Sequence, residues 1–296
     1  MNGILLVDKP IGPTSFDVVK TVRRAMGLRK VGHAGTLDPL ASGLLVVCAG
    51  QGTRLVPYLM DSEKRYLTTV ALGTQTDTDD STGKKIAEAA VPTIDIESLA
   101  TILEGFTGVI SQVPPRFSAL KKDGEAMYKK ARRGEDIAPE PRNVTIHSIS
   151  ITSLSQTEIG LDIRCGKGTY IRSLAKDLAR SLGTEGHLSA LRRTFTSGFD
   201  VVDAVHMDHL DKMAGQDELR SKIISPADAL HTYPKMEILP EDQLFVSDGR
   251  PIDAGNYEEI VEINSEGIVC LTREDGHLLA IARLDDGRLK MERVFK

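Results

Sequence analysis

The chain has 296 residues, 41% of them hydrophobic and 27% charged, with a formal net charge of −5 and three cysteines. That length allows one large domain or a large and a small one, and no run approaches the roughly 20 apolar residues that cross a bilayer. The opening Met1 to Pro10 is too short and too soon charged for a secretory signal, so a cytoplasmic location is expected. Cys48, Cys165 and Cys270 are widely spaced and outside any CxxC, which reads as reduced core residues.

A negative net charge argues against a nucleic-acid partner only where charge is evenly spread, and here it is segregated. Residues 1–60 hold seven basic against three acidic side chains, and residues 164–193 hold seven against two. Residues 236–296 reverse the balance, with seven basic against fourteen acidic. The pattern predicts a basic face on the body and an acidic tail module.

In chain order, the first predicted element is a helix with Thr14 or Ser15 as N-cap, Asp17 in its first turn, Val18, Val19, Val22 and Met26 at helical spacing, and Gly27 as its stop. Leu44 to Ala49 is an apolar run of strand length, and Tyr66 to Leu72 alternates as a second strand. The stretch from Val113 to Val144 is rich in Pro, Gly and Lys/Arg and reads as an exposed arm with a short helical piece near Glu125 to Arg132. Thr169 to Leu182 has Ile171, Leu174, Ala175, Leu178 and Leu182 on one face and Gly183 beyond its end, so a helix is expected there. Ser225-Pro226 caps another short helix. After Pro234-Lys235 the segments EEIVEIN, GIVCLTR, LLAIARL and LKMERVF, separated by turn signals, predict a small β-rich domain.

Three motif readings fail on spacing. DTDDSTG (Asp77 to Gly83) is calcium-loop-like, but Thr82 stands where that loop needs glycine. GKGT (Gly166 to Thr169) is P-loop-like, yet Gly160 is one residue too far upstream and Gly168 replaces the Ser/Thr. No histidine pair has zinc spacing. The informative stretch is GHAGTLDPLASG (Gly32 to Gly43), a nearly charge-free loop whose one acid, Asp38, precedes an apolar strand. Composition alone reads Asp38 as a turn cap.

That loop resembles the signature of the TruB family of pseudouridine synthases. Further blocks resemble the family in order: DKPIGPTS (Asp8 to Ser15), KRYLTTVALGTQTDTDD (Lys64 to Asp80), GKGTYIRSLAKDLA (Gly166 to Ala179) and HLSALRRTFTSGF (His187 to Phe199). The resemblance implies an α+β fold: a mixed-sheet catalytic core over residues 1–235, an inserted thumb at about 113–145, and a PUA-like module over 236–296. It implies isomerisation of uridine 55 in the T loop of tRNA, without cofactor or metal, by a monomer needing no obligate protein partner and no membrane.

The same resemblance distributes roles. Asp38 matches the catalytic aspartate, and Arg172 the arginine that keeps it ionised in a dry pocket. Tyr66 matches the tyrosine that stacks on the base and serves proton transfer at C5. Tyr170 and Leu191 match residues lining the uracil slot, and His33 the histidine of T-loop recognition. Lys9 and Pro10 are expected to buttress the loop. Arg116, Lys121, Lys122, Lys129, Lys130, Arg132 and Arg133 would give the thumb its phosphate contacts. The carboxylate could add to C1′, add to C6 of the base, or take a proton from C2′, and the sequence leaves all three open. Two rival functions stand beside this one: an RNA-binding or tRNA-folding protein whose catalysis is secondary, and a glycoside hydrolase, which would need a second carboxylate as acid/base.

Overall fold

The computed structural model describes residues 1–118, 120–122, 124–127, 130, 133–135, 139–215, 217–257 and 267–296. Strand β1 (Gly3–Lys9) leads into helix α1 (Ser15–Met26), then β2 (Val31–His33) and β3 (Ala41–Ala49). Helix α1 begins with a full capping box: Asp17 N–H donates to the Thr14 hydroxyl, and the Asp17 carboxylate accepts from the Thr14 backbone. Gly27 ends it in the left-handed conformation at φ 62°. Asp17 and the paired Lys20 turn outward, while Val18, Val19, Val22, Ala25 and Met26 are buried.

A ten-stranded mixed sheet organises the body, running in space Val205–His206, β1, β3, Gly186–Thr196, β4 (Lys64–Leu72), Glu158–Cys165, Arg142–Leu154 and Gly108–Gln112, with β2 also paired to β3 and Phe199–Asp200 to Gly186–Thr196. Leu44 to Cys48 are fully buried, as expected of an unbroken apolar strand covered on both faces. The strand Gly186–Thr196 lies parallel to β3 and antiparallel to β4, so residues from both the Asp38 loop and the Tyr66 strand meet it. Gly43 is required at that junction: its φ is +103°, and a Cβ there would stand 2.2 Å from the Arg193 carbonyl oxygen.

The helix predicted over Thr169 to Leu182 spans Ile171–Ser181 and packs on the sheet through Leu174, Ala175, Leu178 and Ala179. Within the arm, Lys121–Lys122 pairs antiparallel with Glu125–Ala126. A second sheet, of five strands, runs Lys235–Glu237, Ile268–Thr272, Leu278–Asp285, Arg288–Val294 and Ile252–Asp253. The EEIVEIN segment lies outside the described residues. This sheet is docked on the body: Ile268, Cys270, Leu278, Ile281 and Phe295 share a core with Ile4, Leu44 and Val46, and the Tyr58 hydroxyl donates to Glu292 at 2.8 Å. All three cysteines are free and buried. Burial pushes the Cys48 and Cys270 thiols up to about 12, and that of Cys165 to about 11, so none ionises near neutrality. Among the described residues no helix is long and apolar enough to cross a membrane.

Candidate active site

The loop between β2 and β3 is held from both sides of its single acid. Buried Ser15, at the start of α1, donates from its hydroxyl to the Leu37 carbonyl at 3.0 Å and accepts the Leu37 N–H at 2.8 Å. One residue past Asp38, the Pro39 carbonyl accepts the Gly12 N–H at 2.8 Å. The DKPIGPTS motif thus fixes the backbone around Asp38. Lys9, fully buried, donates to the Pro10 and Pro13 carbonyls at 2.8 and 2.9 Å, holding the turn that carries Gly12. Burial lowers the Lys9 ammonium to about 8, against the pull of Asp38, and Arg193 lowers it further.

Arg193, also buried, laces the other side of the loop. Its guanidinium donates to the carbonyls of Leu44 at 2.8 Å, Gly35 at 3.1 Å and Thr36 at 3.4 Å. Three backbone acceptors on the two arms of the loop are thereby tied to one rigid fork.

Asp38 itself is 36% exposed and faces a cleft of about 700 Å³ walled by Ser15, Phe16, His33, Asp80, Phe117 and Arg172, among others. Arg172 projects from the first turn of its helix and places Nη2 3.0 Å from the Asp38 carboxylate. Its position is set by two carbonyls, Thr78 at 3.1 Å and Phe117 at 2.9 Å. A second acid, Asp80, only 5% exposed, approaches Nη1 at 3.6 Å. The other Asp80 oxygen accepts from the Thr78 hydroxyl and from the backbone and hydroxyl of Thr82, at 2.6 to 3.0 Å. Asp80 lies in the DTDDSTG loop, whose other acids also face protein partners: Asp77 accepts the Lys84 N–H and Asp79 pairs with Lys176 at 2.8 Å.

Burial raises the Asp38 carboxyl above the ordinary aspartate value, Arg172 opposes this, Asp80 adds to the rise and Lys9 draws it back. A carboxylate of this kind is a stronger base than one in water, yet its partner arginine keeps the ionised form accessible.

His33, at the end of β2, lines the cleft; burial and then Arg193 lower its pKa, and its Nδ1 is buried with no hydrogen-bond partner. Both effects favour the neutral imidazole. Tyr66 sits buried on β4 opposite Arg193, and its hydroxyl lies within the field of that guanidinium and of Asp38. Tyr170 caps the Arg172 helix from its N-terminal side, its backbone paired with Gln112, and its hydroxyl meets the wall residue Ser118. Leu191 lies across from Ala41 and packs between two core clusters. The structure thus brings Asp38, Arg172 and His33 onto one cleft, with Tyr66 on β4, Tyr170 at the start of the Arg172 helix and Leu191 on the strand Gly186–Thr196. Ser15, Asp80 and Arg193 belong to the same assembly and were not singled out from the sequence.

Residues 23–171 match the family model for the N-terminal domain of TruB family pseudouridylate synthases, and residues 172–231 that for the tRNA pseudouridylate synthase B C-terminal domain. The chain belongs to the TruB family. Among its relatives, a tRNA pseudouridine synthase B of Syntrophotalea carbinolica is 41% identical over 99% of this chain and 95% of its own length. Another protein of that name, from Geobacter sulfurreducens, is 36% identical over the whole of both chains. In architecture the chain is similar to one in the crystal structure of a Cbf5-Nop10-Gar1 complex, with a TM-score of 0.76 at 24% identity, covering 99% of this chain and 85% of that one. A chain of an H/ACA RNP bound to a substrate RNA containing 2′-deoxyuridine gives 0.73 at 22% identity, covering 99% and 85%. These two likenesses concern the fold.

In this TruB-family chain the cations between residues 113 and 145 fall into distinct settings. Arg116 is exposed and donates to the Glu135 carbonyl at 3.2 Å. Arg133 forks between Glu125 at 2.8 Å and Glu135 at 2.7 Å, so its charge is already neutralised by neighbours. Lys121 and Lys122 form one strand of the small hairpin, and Lys130 is half-buried. Lys129 and Arg132 lie outside the described residues.

Proposed function

We propose that this cleft converts uridine 55 in the T loop of tRNA to pseudouridine, with Asp38 as the catalytic carboxylate. The observation that carries the reading is the 3.0 Å contact between Asp38, open to the cleft, and a buried Arg172 held by two backbone carbonyls. The reaction breaks the N1–C1′ bond, turns the uracil and joins C5 to C1′. The C5 hydrogen leaves as a proton and N1 takes one up, so atoms and charge balance with no redox step and no hydrolytic water. Each of the three routes open to the carboxylate needs it ionised beside a sequestered ribose, which is what the Arg172 pairing provides. The target is extruded from the folded T loop into the cleft, as in other enzymes that act on a base. Tyr66 is assigned proton transfer at C5, and Tyr170 and Leu191 the flanks of the base. Their support is proximity, since both phenols stand within the field of Asp38. Residues 236–296 act as a PUA-like module docked on the body, and the enzyme works as a cytoplasmic monomer whose own side chains complete the cleft.

Glycoside hydrolysis fits the geometry poorly. A second carboxylate is near, but Asp80 is buried, with one oxygen satisfied three times over and the other turned to Arg172, so it is not placed to protonate a leaving group. Mass spectrometry of in vitro transcribed tRNA, chemically labelled at pseudouridine after incubation with the protein, decides the matter. One labelled T-loop position and no free uracil is expected; release of uracil would replace isomerisation by hydrolysis.

Thumb charge gives a separate expectation. Neutralising Lys121 and Lys122 should weaken tRNA binding and reduce the log–log salt slope by roughly 0.7 to 0.9 for each phosphate that the variant no longer neutralises. Arg133→Gln should change the slope far less, because Glu125 and Glu135 already hold that guanidinium. An unchanged slope in the lysine double variant would remove the phosphate clamp from the reading.

A further inference from the structure

Helix α1 buries Val18, Val19, Val22, Ala25 and Met26, yet the second residue of its first turn, Phe16, is a large aromatic left 55% exposed. A lone exposed apolar side chain is ordinary on a protein surface. Three observations set this one apart. Phe16 is on the wall of the cleft that holds Asp38. It follows Ser15, whose two hydrogen bonds to Leu37 lock the helix start to the residue before Asp38, so the ring has a fixed place relative to the carboxylate. One turn on, at the i+4 position that shares its face, Lys20 sets its ammonium 4.8 Å from the ring centroid.

We infer that Phe16, with Lys20 beside it, is a stacking platform for a nucleobase adjacent to the extruded uridine. The inference rests on the isomerase reading of the cleft. Pulling one nucleotide out of a stacked loop strips its neighbours of a stacking face, and an exposed aromatic on the rim replaces it without regard to base identity. The cation supplies a partner for what a stacked nucleotide also presents, a phosphate. Lys20 is at present 3.0 Å from Asp17, but both partners are exposed, and such a pair is readily exchanged for a phosphate contact. Asp17 keeps its bonds to Thr14 when Lys20 moves. The other strongly exposed apolar residues, such as Val109, Val202 and Leu244, are not on the wall of this cleft.

A T-arm stem-loop RNA tests the platform in the full-length protein. Phe16→Ala should raise Kd about tenfold, within the range that a single base–aromatic stack supplies. The effect should fall on Kd more than on the single-turnover rate at saturating RNA, and Phe16→Tyr should restore wild-type binding. Replacing one of the two nucleotides flanking the target by an abasic residue should cost the wild type a similar factor and cost Phe16→Ala nothing more. Because the ring is exposed, thermal unfolding of Phe16→Ala should match the wild type. Wild-type binding by Phe16→Ala, or penalties that add with both abasic RNAs, would overturn the platform. If instead the wild-type protein forms no pseudouridine in the same RNA, the isomerase reading falls and the platform with it.

Discussion

Asp38→Asn is expected to abolish isomerisation while leaving tRNA affinity nearly unchanged. The substitution keeps the shape of the side chain and a hydrogen-bonding oxygen for Arg172, but removes the charge that every route to the product requires. Residual turnover above about a hundredth of wild type, roughly 2.7 kcal/mol of barrier, would remove Asp38 from the chemistry. The pH dependence follows from the same environment. The Asp38 pKa lies above the ordinary aspartate value of 3.8, chiefly through burial, so the wild-type single-turnover rate should fall as pH drops through a point above that value. Stability has the opposite sign. Between the ordinary and the raised pKa the folded chain binds a proton that the unfolded chain has released, so ionising Asp38 costs stability as pH rises. Asp38→Asn avoids that cost, and its unfolding midpoint at neutral pH should not drop below wild type. A large drop would mean that the carboxylate is a structural cap, the role that composition alone suggests.

Much of the scaffold was legible because its signals are local. Thr14, Asp17 and Gly27 specify both ends of α1 within one segment, and Leu44 to Ala49 reads as a buried strand from its own apolar run. Around the cleft, what escaped was the part made by contacts between distant segments. Arg192 and Arg193 are adjacent in sequence and chemically alike, but strand alternation sends them to opposite faces. Arg192 pairs with Asp8 at 2.7 Å, whereas Arg193 is buried among loop carbonyls 149 to 158 residues away in sequence. Asp80 sits inside a family-like block and a failed calcium motif, and nothing in that segment shows that it faces Arg172 from a separate helix. Charge counts mark residues 236–296 as acidic, and they say nothing of the apolar face by which Ile268, Cys270 and Ile281 join the body's core.

Arg172→Met should lower the single-turnover rate by at least about tenfold while changing tRNA affinity little, and should do so through Asp38. Arg172 is the foremost influence holding the Asp38 pKa down; without it, burial and Asp80 act unopposed except by Lys9. The acid limb of the rate profile should therefore move to higher pH, and raising the pH should recover part of the missing rate. A simple packing defect would lower the rate at every pH alike. Removing the guanidinium also leaves the Thr78 and Phe117 carbonyls without their donor, at a cost of about 1 to 3 kcal/mol for each group left buried and unpaired. Urea unfolding measures this structural share separately. Asp80→Asn added to Arg172→Met removes the remaining like charge, so the double variant should have its acid limb at lower pH than Arg172→Met alone. Normal single-turnover rates in Arg172→Met, with binding weakened instead, would make Arg172 an RNA contact and leave the ionisation of Asp38 to Lys9.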